Sequence, residues 1–137
     1  MALVLDAGPL YALLDRRDSA HEACRRLLSD LREALVVPVP VLTEVDYFIT
    51  TRGYPAVRLA LLDDIAGGGL QVENLVPEDF TRIRELCEQY ADADIGFVDA
   101  AVLAIVERLN EPKLATLDHR HFGILRPRHV ESLTLLP

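Results

Sequence analysis

The sequence predicts an α/β fold, a three-layer α/β/α domain with a mostly parallel central sheet. Short apolar runs of strand length alternate with longer segments of helical periodicity along the 137-residue chain. Half of the residues are apolar, which is enough for a packed core. Strands that alternate with helices favour parallel pairing, because each helix returns the chain to the same end of the sheet. We therefore expect one domain over residues 1–137.

Five short runs predict the strands. The first, ALVL, is continuously apolar, which is typical of a strand buried on both faces of a parallel sheet. It ends at Asp6, and Pro38 and Pro40 stop the second run. In chain order the predicted strands are Ala2–Leu5, Leu35–Val37, Leu70–Leu75, Lys113–Leu117 and Leu133–Leu136.

Six segments carry helical signals. Pro9 suits the first turn of a helix through Leu14. Ser19 and Glu22 have the spacing of a capping box, and leucines at helical intervals follow them. Glycine, or asparagine with proline, marks the end of several later helices. These later helices are predicted over Val41–Thr51, Pro55–Ile65, Pro77–Tyr90 and Phe97–Leu109.

Charge and apolar run length exclude some function classes. The formal net charge of −8 argues against general binding of nucleic acid through many phosphate contacts, although metal ions could offset clustered carboxylates. No apolar run approaches the roughly 20 residues of a membrane span, and the N-terminus has no basic region of a signal peptide. We therefore expect a cytoplasmic protein without membrane contact. Cys24 and Cys87 are expected to stay reduced.

Acidic side chains follow the predicted strands where a ligand would bind. Asp6 comes directly after the first strand and Asp118 directly after the fourth. Parallel α/β sheets bind ligands at the carboxyl ends of their strands. Asp99 lies in the first turn of its helix, where the helix dipole favours the ionised form. Asp92 and Asp94, in the preceding turn, could reach the same place.

Glu44 lies among apolar residues of its predicted helix. Val41, Val45 and Phe48 are its neighbours, so burying its carboxylate is unfavourable unless something pairs with it. Acids gathered in one place also repel each other unless a counter-charge is present. Mg²⁺ or Mn²⁺ would supply that charge, since both take oxygen ligands. His119 and His121 lack a third soft ligand and make a poor zinc site.

Each acid also has a purely structural interpretation that the sequence leaves open. Asp6 could cap the following helix, and Asp118 could form an Asx turn or a helix cap. Asp99 could serve only as a first-turn acid, and Glu44 could be solvated. The combined arrival of these acids at strand and helix ends is what favours a metal site.

Four segments together resemble one family. They read VLDAGPLYALLD, VPVPVLTEVDYFITTR, IGFVDAAVLAIVERL and LATLDHRHF. In this order and spacing the chain resembles the PIN-domain ribonucleases, and among them the VapC toxins of toxin–antitoxin pairs. The resemblance implies a PIN-like α/β/α fold and an Mg²⁺- or Mn²⁺-dependent endoribonuclease. It also implies hydrolysis of a specific structured RNA, such as a tRNA or a ribosomal RNA loop, by metal-activated water.

The resemblance assigns expected roles to particular residues. Thr116 matches a small hydroxyl residue two positions before the last acid, and Asp94 is an auxiliary candidate. Gly8 departs from the pattern, because many relatives carry a hydroxyl residue there. The expected acidic quartet, which would act in catalysis and hold the metal, is Asp6, Glu44, Asp99 and Asp118.

The resemblance also implies partners. One partner is a second copy of the chain, in a homodimer. The other is a VapB-type antitoxin, which wraps the toxin in a hetero-oligomer and sends a basic side chain into the acidic site. The net charge of −8 is consistent with an arginine-bearing partner. The arginines expected to meet RNA, each of which is otherwise an ordinary surface charge, are Arg16, Arg17, Arg120, Arg126 and Arg128.

Other functions fit the sequence less well. A phosphorelay receiver domain would need an acid pair after the first strand and a lysine after its last strand, but Asp6 stands alone and Lys113 precedes its strand. A haloacid-dehalogenase-type phosphatase would need an Asp-x-Asp motif, and Asp6 is followed by Ala7 and Gly8. A catalytically silent PIN fold that serves as a binding module is the remaining alternative.

Overall fold

The computed structural model describes all 137 residues, which form five strands and seven helices. The strands are β1 (Ala2–Leu5), β2 (Ala34–Pro38), β3 (Gln71–Glu73), β4 (Lys113–Ala115) and β5 (Thr134–Leu136). The helices are α1 (Ala7–Leu14), α2 (His21–Asp30), α3 (Val39–Arg52), α4 (Pro55–Ala66), α5 (Pro77–Gln89), α6 (Phe97–Arg108) and α7 (His119–Ile124).

All five strands pair in parallel, in the order β3-β2-β1-β4-β5. Val4 in the central strand pairs with Val36 on one side and Leu114 on the other. The predicted parallel α/β/α fold is therefore confirmed. The chain runs outward from β1 through β2 to β3 and then returns to the other side of β1 as β4. The crevice at the carboxyl ends of β1 and β4 lies where the strand order reverses, which is where sheets of this type bind ligands.

The core is built on β1 and α6. Leu3, Val4 and Leu5 are fully buried, as their continuous apolar pattern predicts. Every residue of α6 from Ala100 to Val106 is also buried, because this helix packs against both α5 and α3. A helix that is apolar on all sides belongs in the interior. Its burial fixes where the N-terminal turn of α6, with Asp99, meets the crevice.

A network of ion pairs holds the opposite end of α6. The Arg108 guanidinium donates to the buried carboxylate of Asp79 at 3.1 Å and to Glu73 at 2.8 Å. Arg82 donates to Glu107 at 2.7 Å. These contacts join α6 to α5 and to β3. Removing one partner of a buried pair is strongly destabilising, because the other charge is left without compensation.

Three local predictions were wrong. Ser19 does not cap α2, which begins after Ala20; the Asp18 carboxylate accepts from the backbone N–H of Ala20 instead, and Glu22 pairs with neighbouring arginines. β4 ends at Ala115 rather than two residues later, and the segment after Asp118, predicted as a turn, is the helix α7.

The remaining element bounds agree with the predictions within a few residues, and the fifth strand is present. Both cysteines are free. No helix has the length and hydropathy needed to cross a bilayer.

Candidate active site

Asp6 lies at the point where β1 gives way to α1. Its backbone N–H donates to the Ala115 carbonyl at 2.9 Å, which ties the end of β1 to β4. Although Asp6 occupies the N-cap position of α1, its side chain makes no capping hydrogen bond. The carboxylate instead accepts a 2.8 Å hydrogen bond from the Thr116 hydroxyl. The structure therefore does not support the helix-cap interpretation of this acid.

Thr116 connects two of the predicted site acids. Its side chain is completely buried after β4. Its hydroxyl donates to Asp6 and accepts from the backbone N–H of Asp118 at 3.0 Å. The small hydroxyl residue that the family resemblance implies at this position therefore donates to the Asp6 carboxylate. One buried hydroxyl thus sets the spacing between the ends of the two central strands.

Asp118 is the N-cap of α7. One carboxylate oxygen accepts from the backbone N–H of His121 at 3.0 Å, and the other lies 2.7 Å from the His121 Nδ1 atom. The sequence left open whether Asp118 caps a helix or serves a site, and here the same residue caps α7 and faces the crevice.

Glu44 and Asp99 reach the crevice from helices on either side. Val41 and Val45 are buried on α3, so the predicted orientation of that helix is correct, and Glu44 is half-buried beside them. Asp99 is in the first turn of α6 and its side chain is 21% exposed. Neither carboxylate has a lysine or arginine partner.

The four acids of the predicted quartet line one cavity of about 390 Å³. They come from four separate elements: the end of β1, α3, the start of α6, and the loop after β4. No lysine or arginine lines the cavity. The rest of its wall is formed by small or apolar residues, namely Ala7, Gly8, Phe48 and Leu117.

The electrostatics of the cavity oppose ionisation of three of these acids. Burial raises the pKa of Asp99 to about 6, and the neighbouring Asp6 and Asp118 carboxylates add to the rise. Burial is also the main reason why the pKa values of Asp6 and Glu44 are raised. Partial burial acts in the same direction on Asp118, but hydrogen bonds from His121 outweigh it and lower the pKa of Asp118. Asp118 is thus the one cavity acid whose ionised form is favoured, because His121 pairs with it.

His121 is the site residue that the sequence interpretation missed. Its Nδ1 atom lies 2.7 Å from Asp118 and 4.0 Å from the Asp99 carboxylate. One ligand atom from each of these three residues lies within 4.8 Å of the others. The hydrogen bond to Asp118 raises the pKa of His121. Asp118 precedes His121 by three residues, which is the spacing between a helix N-cap and the third residue of the helix. That spacing is the signal in the sequence that could have predicted α7 and its contact between Asp118 and His121.

The auxiliary positions differ from one another. Asp94 adopts a left-handed backbone conformation with φ of 57° and lines a second cavity of about 330 Å³ with Glu44 and Asp99. Asp92 is exposed and lines neither cavity.

Gly8, where many relatives carry a hydroxyl residue, lies against Leu117. A Cβ atom at Gly8 would lie 3.2 Å from the Leu117 side chain, so a larger residue there would require Leu117 to shift.

The arginines proposed to meet RNA are widely spread. Arg17 is held by Asp15, by the Tyr54 hydroxyl and by a backbone carbonyl, and Arg128 pairs with Glu85. The side chains of Arg16 and Arg126 are exposed and make no hydrogen bond or ion pair. Arg120 is exposed on α7 next to His121. It is the one of these five arginines that lies within two residues of a cavity acid, Asp118.

Comparison with known proteins decides the family. The family model for the PIN domain matches residues 3–124. The chain belongs to the PIN domain family. It is 31% identical over 135 residues to Ribonuclease VapC26 of Mycobacterium tuberculosis, a match that covers 98% of this chain and 100% of that protein.

Two solved structures share the fold of this PIN domain. The crystal structure of VapC20 from Mycobacterium tuberculosis, described as a Sarcin-Ricin loop cleaving toxin, superposes with a TM-score of 0.82 at 17% identity and covers 93% of this chain and 98% of that one. A toxin-antitoxin complex from Klebsiella pneumoniae superposes with a TM-score of 0.65 at 18% identity, covering 90% and 92%. The strand order β3-β2-β1-β4-β5 also excludes the receiver domain, whose order is 2-1-3-4-5.

The Thr116 hydroxyl offers a direct test of how this PIN domain positions Asp6. Thr116→Val keeps the side-chain volume but leaves the buried Asp6 oxygen without its donor. We expect the free energy of unfolding to fall by about 1–3 kcal/mol, because a buried acceptor is left unsatisfied. Urea unfolding measures this loss. Thr116→Ser, which keeps the donor, should recover most of it, and equal losses in both variants would contradict the assigned role.

Proposed function

We propose that this PIN domain is a divalent-metal-dependent endoribonuclease toxin that hydrolyses a specific structured RNA. One observation carries the proposal: four carboxylates from four separate elements line a single cavity that no lysine or arginine enters. A protein has no structural reason to bring four acids together without counter-charge. A site that takes up cations explains the arrangement.

The donor set fits Mg²⁺ or Mn²⁺. Carboxylate oxygens are the ligands that such hard ions take, and Asp6, Glu44, Asp99 and Asp118 would hold the ion. Burial and neighbouring carboxylates raise the pKa values of Asp6, Glu44 and Asp99, and a divalent ion would offset the repulsion between these acids. When bound, the ion supplies Lewis acidity, which activates water and neutralises charge on a scissile phosphate.

The chain's own residues would act by position and charge. Thr116 keeps the Asp6 carboxylate turned towards the cavity. α7 holds Asp118 through the backbone and ring of His121. Leu117 and Phe48 form an apolar wall that limits water around the acids. The hydrolysis we propose breaks the bond between phosphorus and the 3′ oxygen, leaving 5′-phosphate and 3′-hydroxyl ends.

RNA is the substrate that the relatives favour, because VapC26 is named a ribonuclease and VapC20 a toxin that cleaves the Sarcin-Ricin loop. The surroundings of the cavity suit unpaired nucleotides. Phe97 is 48% exposed two residues before Asp99, and its ring centroid lies 6.4 Å from that of the exposed Phe80. Exposed aromatic rings stack on unpaired bases, and Arg120, two residues after Asp118, would meet a phosphate. The arginines tied into ion pairs are weaker candidates for this contact.

The proposed partners are a VapB-type antitoxin and a second copy of the chain. The Klebsiella pneumoniae structure of the same fold is a toxin-antitoxin complex. An acidic cavity with no cation of its own would accept a basic side chain from such an antitoxin, which would exclude metal or RNA by charge pairing. The net charge of −8 favours association with a basic partner.

Cleavage of total RNA and of intact ribosomes by the purified, antitoxin-free chain tests the function. We expect discrete cuts with Mg²⁺ or Mn²⁺, no cuts with EDTA, and no cuts by Asp6→Asn. Sequencing of the fragment ends would identify the RNA and the bond that is broken. Cleavage that persists in EDTA would overturn the metal requirement. If a folded, metal-loaded chain cuts none of these RNAs, the alternative of a catalytically silent binding module would be favoured.

A further inference from the structure

A histidine lies beside two of the cavity acids. The His121 Nδ1 atom is 2.7 Å from an Asp118 oxygen and 4.0 Å from an Asp99 oxygen. His121 is not part of the acidic quartet, and its backbone N–H is held by Asp118. We propose that His121 supplies a nitrogen ligand to the divalent-ion site, which makes this PIN domain select Mn²⁺ over Mg²⁺. The inference rests on the metal site of the proposed function.

The distances between the donor atoms match those of a metal site. In an octahedral shell with metal–ligand distances of about 2.1 Å, adjacent ligand atoms are about 3 Å apart and opposite ones about 4 Å apart. The Nδ1 atom is now 2.7 Å from Asp118, a hydrogen-bond distance, and 4.0 Å from Asp99, and one ligand atom from each of the three residues lies within 4.8 Å of the others. A single ion can therefore contact all three side chains with little movement of the backbone. For an ion to bind, the proton between Nδ1 and Asp118 would have to leave, with the ring keeping a proton only on Nε2, so that Nδ1 and the Asp118 oxygen could each bind the ion.

The fold holds His121 in this place. The residue lies in the first turn of α7, and α7 begins at Asp118, so the ligand and the acid move as one unit. His119, two residues earlier on the same helix, points elsewhere, because its Nε2 atom lies 3.1 Å from the Thr116 carbonyl oxygen. The chain thus provides a neighbouring histidine as a matched control.

A nitrogen ligand changes which ion is preferred. Mg²⁺ strongly favours oxygen ligands and keeps several waters, whereas imidazole suits transition-metal ions. An all-carboxylate site discriminates weakly between Mg²⁺ and Mn²⁺. With His121 as a ligand, Mn²⁺ would form a bond to the imidazole nitrogen that is stronger than the corresponding bond to Mg²⁺. Loss of the imidazole should therefore weaken Mn²⁺ binding far more than Mg²⁺ binding.

Pulsed EPR of Mn²⁺ bound to the full chain tests the ligand directly. The protein is stripped with chelator and loaded with one equivalent of Mn²⁺. We expect ¹⁴N modulation from a directly bound imidazole in the wild-type chain and in His119→Gln, and its loss in His121→Gln. Calorimetry should show the Mn²⁺ affinity of His121→Gln reduced by about 10-fold or more, with a much smaller change for Mg²⁺.

The outcomes separate this inference from the proposed function. If the wild-type chain binds Mn²⁺ and cuts RNA without a directly bound ¹⁴N signal, the nitrogen ligand is wrong and the nuclease stands. Equal losses of Mn²⁺ and Mg²⁺ affinity in His121→Gln would also overturn the inference, since a histidine that only orients Asp118 would affect both ions alike. If the chain binds Mg²⁺ but not Mn²⁺, this inference fails and the nuclease stands, and if it binds neither ion, both proposals fail. The wild-type spectrum decides the point even if the variant does not fold.

Discussion

Asp99→Asn is expected to lower the rate of RNA cleavage by about 10³-fold or more. Three neighbouring carboxylates, those of Asp6, Asp118 and Asp94, raise the pKa of Asp99, so its charge interacts with more acids than that of any other member of the quartet. Charge stabilisation at a metal site contributes several kcal/mol, and about 4 kcal/mol corresponds to 10³-fold in rate. Asparagine keeps the size of the side chain and removes its charge. Initial rates on a mapped RNA substrate, at saturating Mg²⁺ and Mn²⁺, would measure the loss.

The matched control is Asp92→Asn in the loop before the same helix. Asp92 is exposed and lines neither cavity, so this variant has the same change of charge without the change at the site. We expect it to cleave at close to the wild-type rate. Similar losses in both variants would mean that overall charge, rather than Asp99 itself, supports cleavage. Full activity in Asp99→Asn would remove Asp99 from the proposed metal site.

The strands and the acids that follow them were predictable because the signals are local. The apolar run ALVL needs two buried faces whatever lies next to it, and an acid at its carboxyl end must then face the crevice of a parallel sheet. Asp99 is placed in the same way by the first turn of a buried helix. The bounds of β3 were less predictable, because only Gln71–Glu73 pairs with β2.

The elements that were missed depend on contacts between distant residues. The segment HRHFGI has no apolar periodicity, and α7 forms because Asp118 caps it and Phe122 is buried against the core. The position of Asp118 depends in turn on Thr116, which is bonded to Asp6 over a hundred residues away. A histidine in a segment predicted to be a turn has no defined direction. His121 becomes a site residue only once α7 is present.

The metal-free protein is expected to lose stability as the pH rises from 5 to 7.5. The pKa of Asp99 is raised from 3.8 to about 6 in the folded state. A raised pKa means that the folded chain holds the proton more tightly than the unfolded chain, so stability is highest at low pH and falls as the pH rises through 6. Asp99 alone would account for about 1.4 kcal/mol between pH 5 and 7.5. The raised pKa values of Asp6, Glu44 and His121 act in the same direction.

Urea unfolding of the chelator-treated chain at the two pH values measures this effect, and Asp99→Asn isolates it. The variant should be more stable than the wild-type chain at pH 7.5 and should depend less on pH, whereas Asp92→Asn should behave like the wild-type chain. Mn²⁺ at about 100 times its dissociation constant should restore about 2.7 kcal/mol to the wild-type chain at pH 7.5. If Asp99→Asn is less stable than the wild-type chain at pH 7.5 without metal, repulsion between the cavity carboxylates does not destabilise the metal-free protein. A stabilised variant that cannot cleave would instead mean that the fold tolerates this repulsion because the proposed metal site requires it.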